Sequence, residues 1–429
     1  MELDRSRVYR DLHLIYLNTL IRNHIQYAGH PEKQFRSVIV AGTNGKGSVT
    51  SYIASILAVN GLKVGRYTSP HIYDVTERIW ISGKLISLER MESLAARIVP
   101  LYDTTPFSYF EAITAIAFLE FAERQVDYAV LEVGLGGRFD ATNVTEPALT
   151  VLTNVSLDHR RLLGDTEEEI LREKLGITRP GVPLLTGNLS PSLKPSLETA
   201  RKRRGFPLFR LEDIGRADLA EMSLERMRVA IKTGRSDYGE VRLPFRGPGQ
   251  VFNSLLAVGA VEQLLGRVEQ LAEGFASAYL PARFEIIKKA GKHIVLDVAH
   301  NDAALAASAE TFAAMSPPSD SLVVLGMMSR KELNHCLDPI LAAASRFYLA
   351  QPEGGEAYSA GELLAIIKKR PAAVNKEILA WPGDDLPAIW DRLVETVLAP
   401  AGPFSNVLVT GSHRTVESFG RRLVKEKRK

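Results

Sequence analysis

VIVAGTNGKGSVTSYIASIL, residues 38–57, begins as an unbroken apolar run, turns through three glycines and continues with helical periodicity. A strand, a tight turn and a helix in that order make a phosphate-binding unit, because turn N–H groups face phosphate oxygens and the helix adds its positive end. The spelling is unusual. In the common form G-x-x-x-x-G-K-[ST], Val40 would be the first glycine and Gly47 the hydroxyl residue, so the pattern fails twice. Gly42, Gly45 and Gly47 still allow the turn, with Thr43 and Asn44 completing the loop. Lys46 would neutralise the outer phosphates, and Ser48 or its neighbour would meet magnesium. Read as a bare glycine turn, the stretch leaves the central lysine unexplained.

At 429 residues the chain exceeds what one core organises, which predicts two domains. Its 45% hydrophobic and 24% charged content is that of a soluble globular protein. No apolar run is long enough to span a bilayer, and the first twenty residues lack the apolar core of a secretory signal, so a cytoplasmic location without membrane partners is expected. The net charge of +3 does not suggest nucleic acid. The cluster Arg201–Arg204 reads as a solvated helix end and the tail KEKRK as a frayed terminus. The single cysteine, Cys336, excludes an internal disulfide and a cysteine metal cluster; beside His335 it reads as a buried or half-buried thiol.

Strand-like runs alternate with helical ones, which predicts an α/β fold with parallel sheets. Strands are expected at SVIVAG, DYAVLEVG and ALTVLTNV, with helices at SVTSYIASILAVNG and SYFEAITAIAFLEFAERQ. Residues 208–245 read as a small β excursion, and GPGQVFNSLLAVGAVEQLLG returns to helix. A second alternation, with strands at HIVLDVAH, SLVVLG, RFYLAQ, EILAWP and NVLVTGS, predicts a smaller doubly wound, Rossmann-like domain. The polarity change at Pro281–Arg283 sets the boundary, giving an ATP-binding domain over 1–281 and a C-terminal domain over 282–429.

A magnesium nucleotide needs ligands at strand ends. Glu132 ends an apolar strand where a carboxylate has no core role, and His159 follows another strand in TNVSLDH. Lys174, in REKLGI, reads from chemistry alone as a solvent-exposed helix lysine.

These residues resemble the folate branch of the Mur ligase family, the folylpolyglutamate synthases and dihydrofolate synthases. The resemblance is carried by AGTNGKGS, YTSPHI with TERIWISG, the run YFEAITAIAFLEFAERQVDYAVLEVGLGGRFDATNV, SLDH with LLGDT, EKLGI with RPG, and ARFEII with LDVAHN. They span nearly the whole chain, and glycine then serine after the loop lysine is that branch's own variant. The resemblance implies an ATP-dependent ligase that phosphorylates a folate-type carboxylate, of dihydropteroate or a reduced folate, and lets L-glutamate displace the phosphate. It further implies a commonly monomeric enzyme with two magnesium sites. Ser48, Ser69, Glu132 and His159 would be metal residues, and Lys174 would be carboxylated, which reverses the reading from chemistry alone. Gln250, Asn253, Arg283, Asp297 and His300 would meet the nucleotide. Phe110 would stack on the pterin, and Ser412 would lie at the folate or glutamate site. Lys46, Lys174 and His159 would carry the chemistry.

The sequence departs from the family at Gly249, where histidine is usual, at Asp302, at Arg330, after Ser412, and at Arg160 and Arg161 following DH. Two other readings stand beside the first: a Mur-type ligase for a different acid or amino acid, and an ATP-binding regulator without catalysis.

Overall fold

The computed structural model describes residues 29–101, 107–329, 335–400 and 402–425. The first twenty residues and Arg330 lie outside them. The chain divides into two compact units. One takes the described residues up to Leu219 with Val229–Pro244 and Gly249–Tyr279; the other takes Ala220–Arg228, Phe245–Pro248 and the described residues from Leu280 onward.

The first unit is built on an eight-stranded sheet. Its strands are β1 (Arg36–Ala41), β2 (Val64–Tyr67), β3 (Ile79–Ile81), β4 (Lys84–Leu85), β5 (Tyr128–Glu132), β6 (Pro147–Leu152), β7 (Leu184–Thr186) and β8 (Leu208–Arg210), in the order β4-β3-β2-β5-β1-β6-β7-β8. From β2 to β8 all neighbours are parallel, and β3 and β4 add an antiparallel edge. Strand β1 shows why: five consecutive residues are buried, as a central strand covered on both faces requires. One covering layer includes helix Tyr109–Glu123, whose start is fixed by a reciprocal capping box between Ser108 and Glu111. Phe118 and Phe121 of that helix are fully buried, each burial stabilising by roughly 1.5–3 kcal/mol. A second apolar cluster gathers Ile39, Leu152, Val155, Leu163, Leu171 and Leu184.

The predicted β excursion is partly so. Strand β8 joins the main sheet, a short helix Leu211–Ile214 follows, and β9 (Gly215–Met222), β10 (Met227–Thr233) and β11 (Asp237–Leu243) form a separate three-stranded sheet. Helix Gly249–Leu265 then returns to the first unit.

In the second unit β12 (Glu285–Lys289), β13 (Lys292–Leu296), β14 (Ser321–Leu325), β15 (Arg346–Ala350), β16 (Glu377–Trp381) and β17 (Asn406–Thr410) make a sheet in the order β12-β13-β17-β14-β15-β16. Only β12, which sequence reasoning missed, runs antiparallel to its neighbour. Its core gathers Val295, Phe312, Val323, Phe347 and Leu408. Two α/β units with parallel-rich sheets are the predicted fold class.

Candidate active site

Four adjacent parallel strands, β2, β5, β1 and β6, end at one edge of the first sheet. Ser69 follows the first, Glu132 closes the second, the glycine loop follows the third and Thr153 follows the fourth. Such an edge is where open α/β sheets bind ligands.

The loop is shaped by its neighbours. Thr43 N donates to Asn154 O at 3.0 Å, and Asn44 N donates to Asn154 Oδ1 at 2.9 Å. Thr153 Oγ1 and Asn154 Nδ2 donate to Asn44 O at 2.6 and 3.0 Å, while Ser156 N donates to Thr43 Oγ1 at 3.1 Å. The backbone N–H groups of Thr43 and Asn44 therefore hold the loop's form, and the opening turn of helix Lys46–Val59 supplies the positive end. Gly42 has φ 150° and Gly45 φ 81°; an added β-carbon would stand 1.9 Å from Thr153 Oγ1 at the first and 2.8 Å from Asn253 Oδ1 at the second. Asn253 thus lies directly against the loop. Its amide donates to Gln250 Oε1 at 3.2 Å, and Gln250 Nε2 donates to the buried Ser48 hydroxyl at 3.3 Å.

Lys46 Nζ donates to the carbonyls of Gly42 and Thr43 at 3.1 and 3.0 Å. Lys174 corrects its chemistry-only reading: it is 3% exposed, and its Nζ donates to the same Gly42 carbonyl at 2.8 Å. Burial, then the Lys46 charge, depress its ammonium from 10.5 to about 7, against the pull of Asp158. Helix Glu167–Lys174 ends there, so its last residue points inward while its first three glutamates stay at the surface end.

Glu132 is buried and accepts from Ser69 N at 3.0 Å. His159, in the left-handed region at φ 49°, precedes helix Arg160–Leu163 and keeps an exposed imidazole 3.9 Å from Asp158. Phe110 packs against the apolar cluster of helix Tyr109–Glu123 and lies across Gly134, where an added β-carbon would be 2.6 Å from its ring. The ring is therefore both core and wall of the glycine loop after β5. Among the described residues, no group of three or more His, Cys, Asp or Glu side chains is arranged to hold a metal. The set Ser48, Ser69, Glu132 and His159 instead mixes hydroxyls, one carboxylate and one imidazole, which fits a hard divalent ion that also takes phosphate oxygens and water.

In the second unit, Asp297 and His300 follow β13 and Ser412 follows the neighbouring β17. Phe284 N donates to Asp297 Oδ1 at 3.1 Å; burial pushes that carboxyl up, against the Arg283 charge. Arg283 stands between two residues in the left-handed region, Ala282 and Phe284. The His300 ring lies 5.1 Å from that of His413, and Ser412 Oγ is engaged in capping helix His413–Lys425, accepting from Thr415 N at 3.1 Å.

Sequence reasoning missed several residues. Asp140 is buried and accepts from Leu135 N at 3.0 Å and Thr142 N at 3.0 Å; its burial raises its pKa despite those bonds. Its place in the quoted FDATN was the available signal. Arg66, 3% exposed, donates to Ser51 Oγ at 3.0 Å and Tyr279 O at 2.6 Å, and no motif marked it. Cys336 is buried, and its N–H donates to Asp302 Oδ1 at 2.8 Å. The cluster Arg201–Arg204 does end its helix, with Lys202 and Arg203 exposed, while Arg204 turns back to donate to Leu175 O at 2.5 Å.

Residues 40–261 match the Mur ligase middle domain, and residues 282–413 match the Mur ligase glutamate ligase domain. The chain is 33% identical over 408 residues to the dihydrofolate synthase/folylpolyglutamate synthase of Bacillus subtilis, covering 92% of each chain. It is similar in structure to Mycobacterium tuberculosis folylpolyglutamate synthase complexed with ADP, with a TM-score of 0.80, 28% identity and 98% of each chain covered. It is similar also to Escherichia coli FolC in complex with DHPP and ADP, with a TM-score of 0.79, 29% identity, and 96% and 93% covered.

Proposed function

The chain belongs to the Mur ligase family, in its folylpolyglutamate synthase/dihydrofolate synthase branch, and from that premise we propose how its residues carry the ligation. It is an ATP-dependent ligase that joins L-glutamate to a folate-type carboxylate. We assign ATP binding to residues 1–281 and a share in binding the incoming amino acid to residues 282–429.

A carboxylate resists attack by an amine until one oxygen becomes a good leaving group. Transfer of the γ-phosphoryl group supplies that, giving an acyl phosphate, and the glutamate amine then adds through a tetrahedral intermediate and expels phosphate. Lys46 is placed for the first step: its ammonium rests on two neutral loop carbonyls, and exchanging these for phosphate oxygens adds a charge–charge attraction. Gln250 and Asn253 brace the loop. Arg283, Asp297 and His300 are assigned to the nucleotide as well.

Magnesium would be held by Ser48 at the phosphates and by Ser69, Glu132 and His159 at a second position. Bound there it would offset charge developing on the transferred group. Lys174 carries the finer reading. A buried lysine depressed to about 7 keeps a substantial neutral fraction near neutrality, and only the neutral amine adds to carbon dioxide. The carbamate would keep one N–H for the Gly42 carbonyl while placing a negative group beside Lys46, turning a repulsion into an attraction.

The observation that carries this reading is the convergence of Lys46 and buried Lys174 on one loop carbonyl at the strand edge that also carries Glu132. The test is mass spectrometry of products after incubation with magnesium, ATP and L-glutamate, offering dihydropteroate and tetrahydrofolate separately. Ligated product from one acceptor names a single step, and product from both a bifunctional enzyme. No ligated product from either would sink the reading.

A further inference from the structure

Arg160 and Arg161 are the departure that the ligase chemistry leaves unused. Both are exposed and directly follow His159 on helix Arg160–Leu163. The glycine loop after β5 links them to Phe110, the residue expected to stack on the pterin. At one end of that loop Gly134 lies against the Phe110 ring; further along, an added β-carbon at Gly136 would stand 3.0 Å from Leu163 Cδ2. Leu163 is buried in the cluster containing Val133, Val155 and Leu171, so the arginine-bearing turn is pinned beside the loop that Phe110 walls.

Arg160 and Arg161 carry the charge of the short helix, and the acidic Asp158 and Asp165 flank it. Arg160 lies 3.3 Å from Asp165, which is itself 79% exposed, and Arg161 has no ion pair among the described residues. Leucines flank these cations: Leu157 and Leu162 are 50% and 44% exposed. Exposed leucine and arginine side chains together suit a chain of methylenes and carboxylates.

We propose that Arg160 and Arg161, with Leu157 and Leu162, form a subsite for the γ-glutamyl tail of the acceptor and favour acceptors that carry γ-linked glutamates beyond the first. This rests on the ligase reading above. Each γ-linked glutamate brings a short methylene stem, which leucine can cover, and an α-carboxylate, which a guanidinium can bind with two parallel hydrogen bonds. Dihydropteroate offers only the carboxylate that reacts, so it gives the subsite nothing to hold. An exposed ion pair adds about two- to five-fold in affinity, so two on one tail give about ten-fold.

The experiment compares the wild type with the double variants Arg160→Gln/Arg161→Gln and Arg160→Lys/Arg161→Lys. It measures kcat/KM for tetrahydrofolate and for tetrahydrofolate extended by γ-linked glutamates. In the glutamine variant the long-to-short ratio should fall about ten-fold, through KM, and the lysine variant should keep part of it. Added salt should compress the ratio in the wild type more than in the glutamine variant. An unchanged ratio, or an equal fall for both acceptors, overturns the subsite. If the wild type ligates neither acceptor, the ligase reading fails separately, and binding of a tri-γ-glutamate peptide decides the subsite. Tighter binding by the wild type than by the glutamine variant supports it, and equal binding overturns it.

Discussion

Lys46 and Lys174 donate to one oxygen, the carbonyl of Gly42, at 3.1 and 2.8 Å. Burial first, and then repulsion between two cations on one acceptor, make Lys174 shed its proton more easily.

This sets the sign of a pH effect. Lys174 titrates near 10.5 when unfolded and at about 7 when folded, so between those values the unfolded chain binds more protons. Its contribution to stability therefore rises with pH across that window, by at most about 1.4 kcal/mol per pH unit, and its full burden is felt below the folded value. Denaturant melts of ligand-free protein in buffers free of carbon dioxide should show the rise, and Lys174→Met should remove it. Matching pH profiles for the two proteins would refute the assignment.

Carbon dioxide should then modify the same lysine. With labelled bicarbonate near neutral pH, carbon NMR of the wild type should show a carbamate resonance that Lys174→Met lacks. Lys174→Ala should lose turnover, with partial rescue by short-chain carboxylates. Full activity in the alanine variant would argue against the carbamate.

Lys46 is assigned to phosphate, and its Nζ donates to two carbonyls of its own loop. Lys46→Ala should lower kcat by about 100- to 1,000-fold, as loss of a transition-state charge donor does, with little change in melting temperature. Because the neighbouring cation is gone, Lys174 should also titrate higher in this variant. Wild-type turnover would refute the phosphate-loop assignment.

The sheets were legible because their strands are local patterns: VIVA and YAVLE are continuous apolar runs between turns, and their burial matches. Short edge strands such as Lys84–Leu85, and the antiparallel Glu285–Lys289, were not, because half-exposed pairing with a neighbour leaves little periodicity to read. Of the site, the loop and Glu132 could be read from chemistry. Lys174 could not, since its burial comes from a contact 132 positions away in sequence that no helical period encodes. Arg66 is harder still: its partners Ser51 and Tyr279 come from a helix and from the end of the unit, and only the fold brings them together.

Gly42 is the position where loop shape, lysine placement and strand pairing meet. At φ 150° a side chain is strained, and its β-carbon would stand 1.9 Å from Thr153 Oγ1, the hydroxyl that donates to Asn44 O. Alanine must therefore displace Thr153, leave the Asn44 carbonyl to Asn154 Nδ2 alone among these donors and shift the Gly42 carbonyl that both lysines use. Gly42→Ala should cost about 1–3 kcal/mol in stability and weaken ATP binding by at least about ten-fold. Thr153→Ala in the same chain removes the hydroxyl clash but neither the 3.1 Å approach to its β-carbon nor the backbone strain, so the double variant should regain only part of the stability and little of the affinity. Melting curves and nucleotide titrations of the single and double variants decide it. A single variant with wild-type melting and affinity would show that the loop does not depend on this close approach.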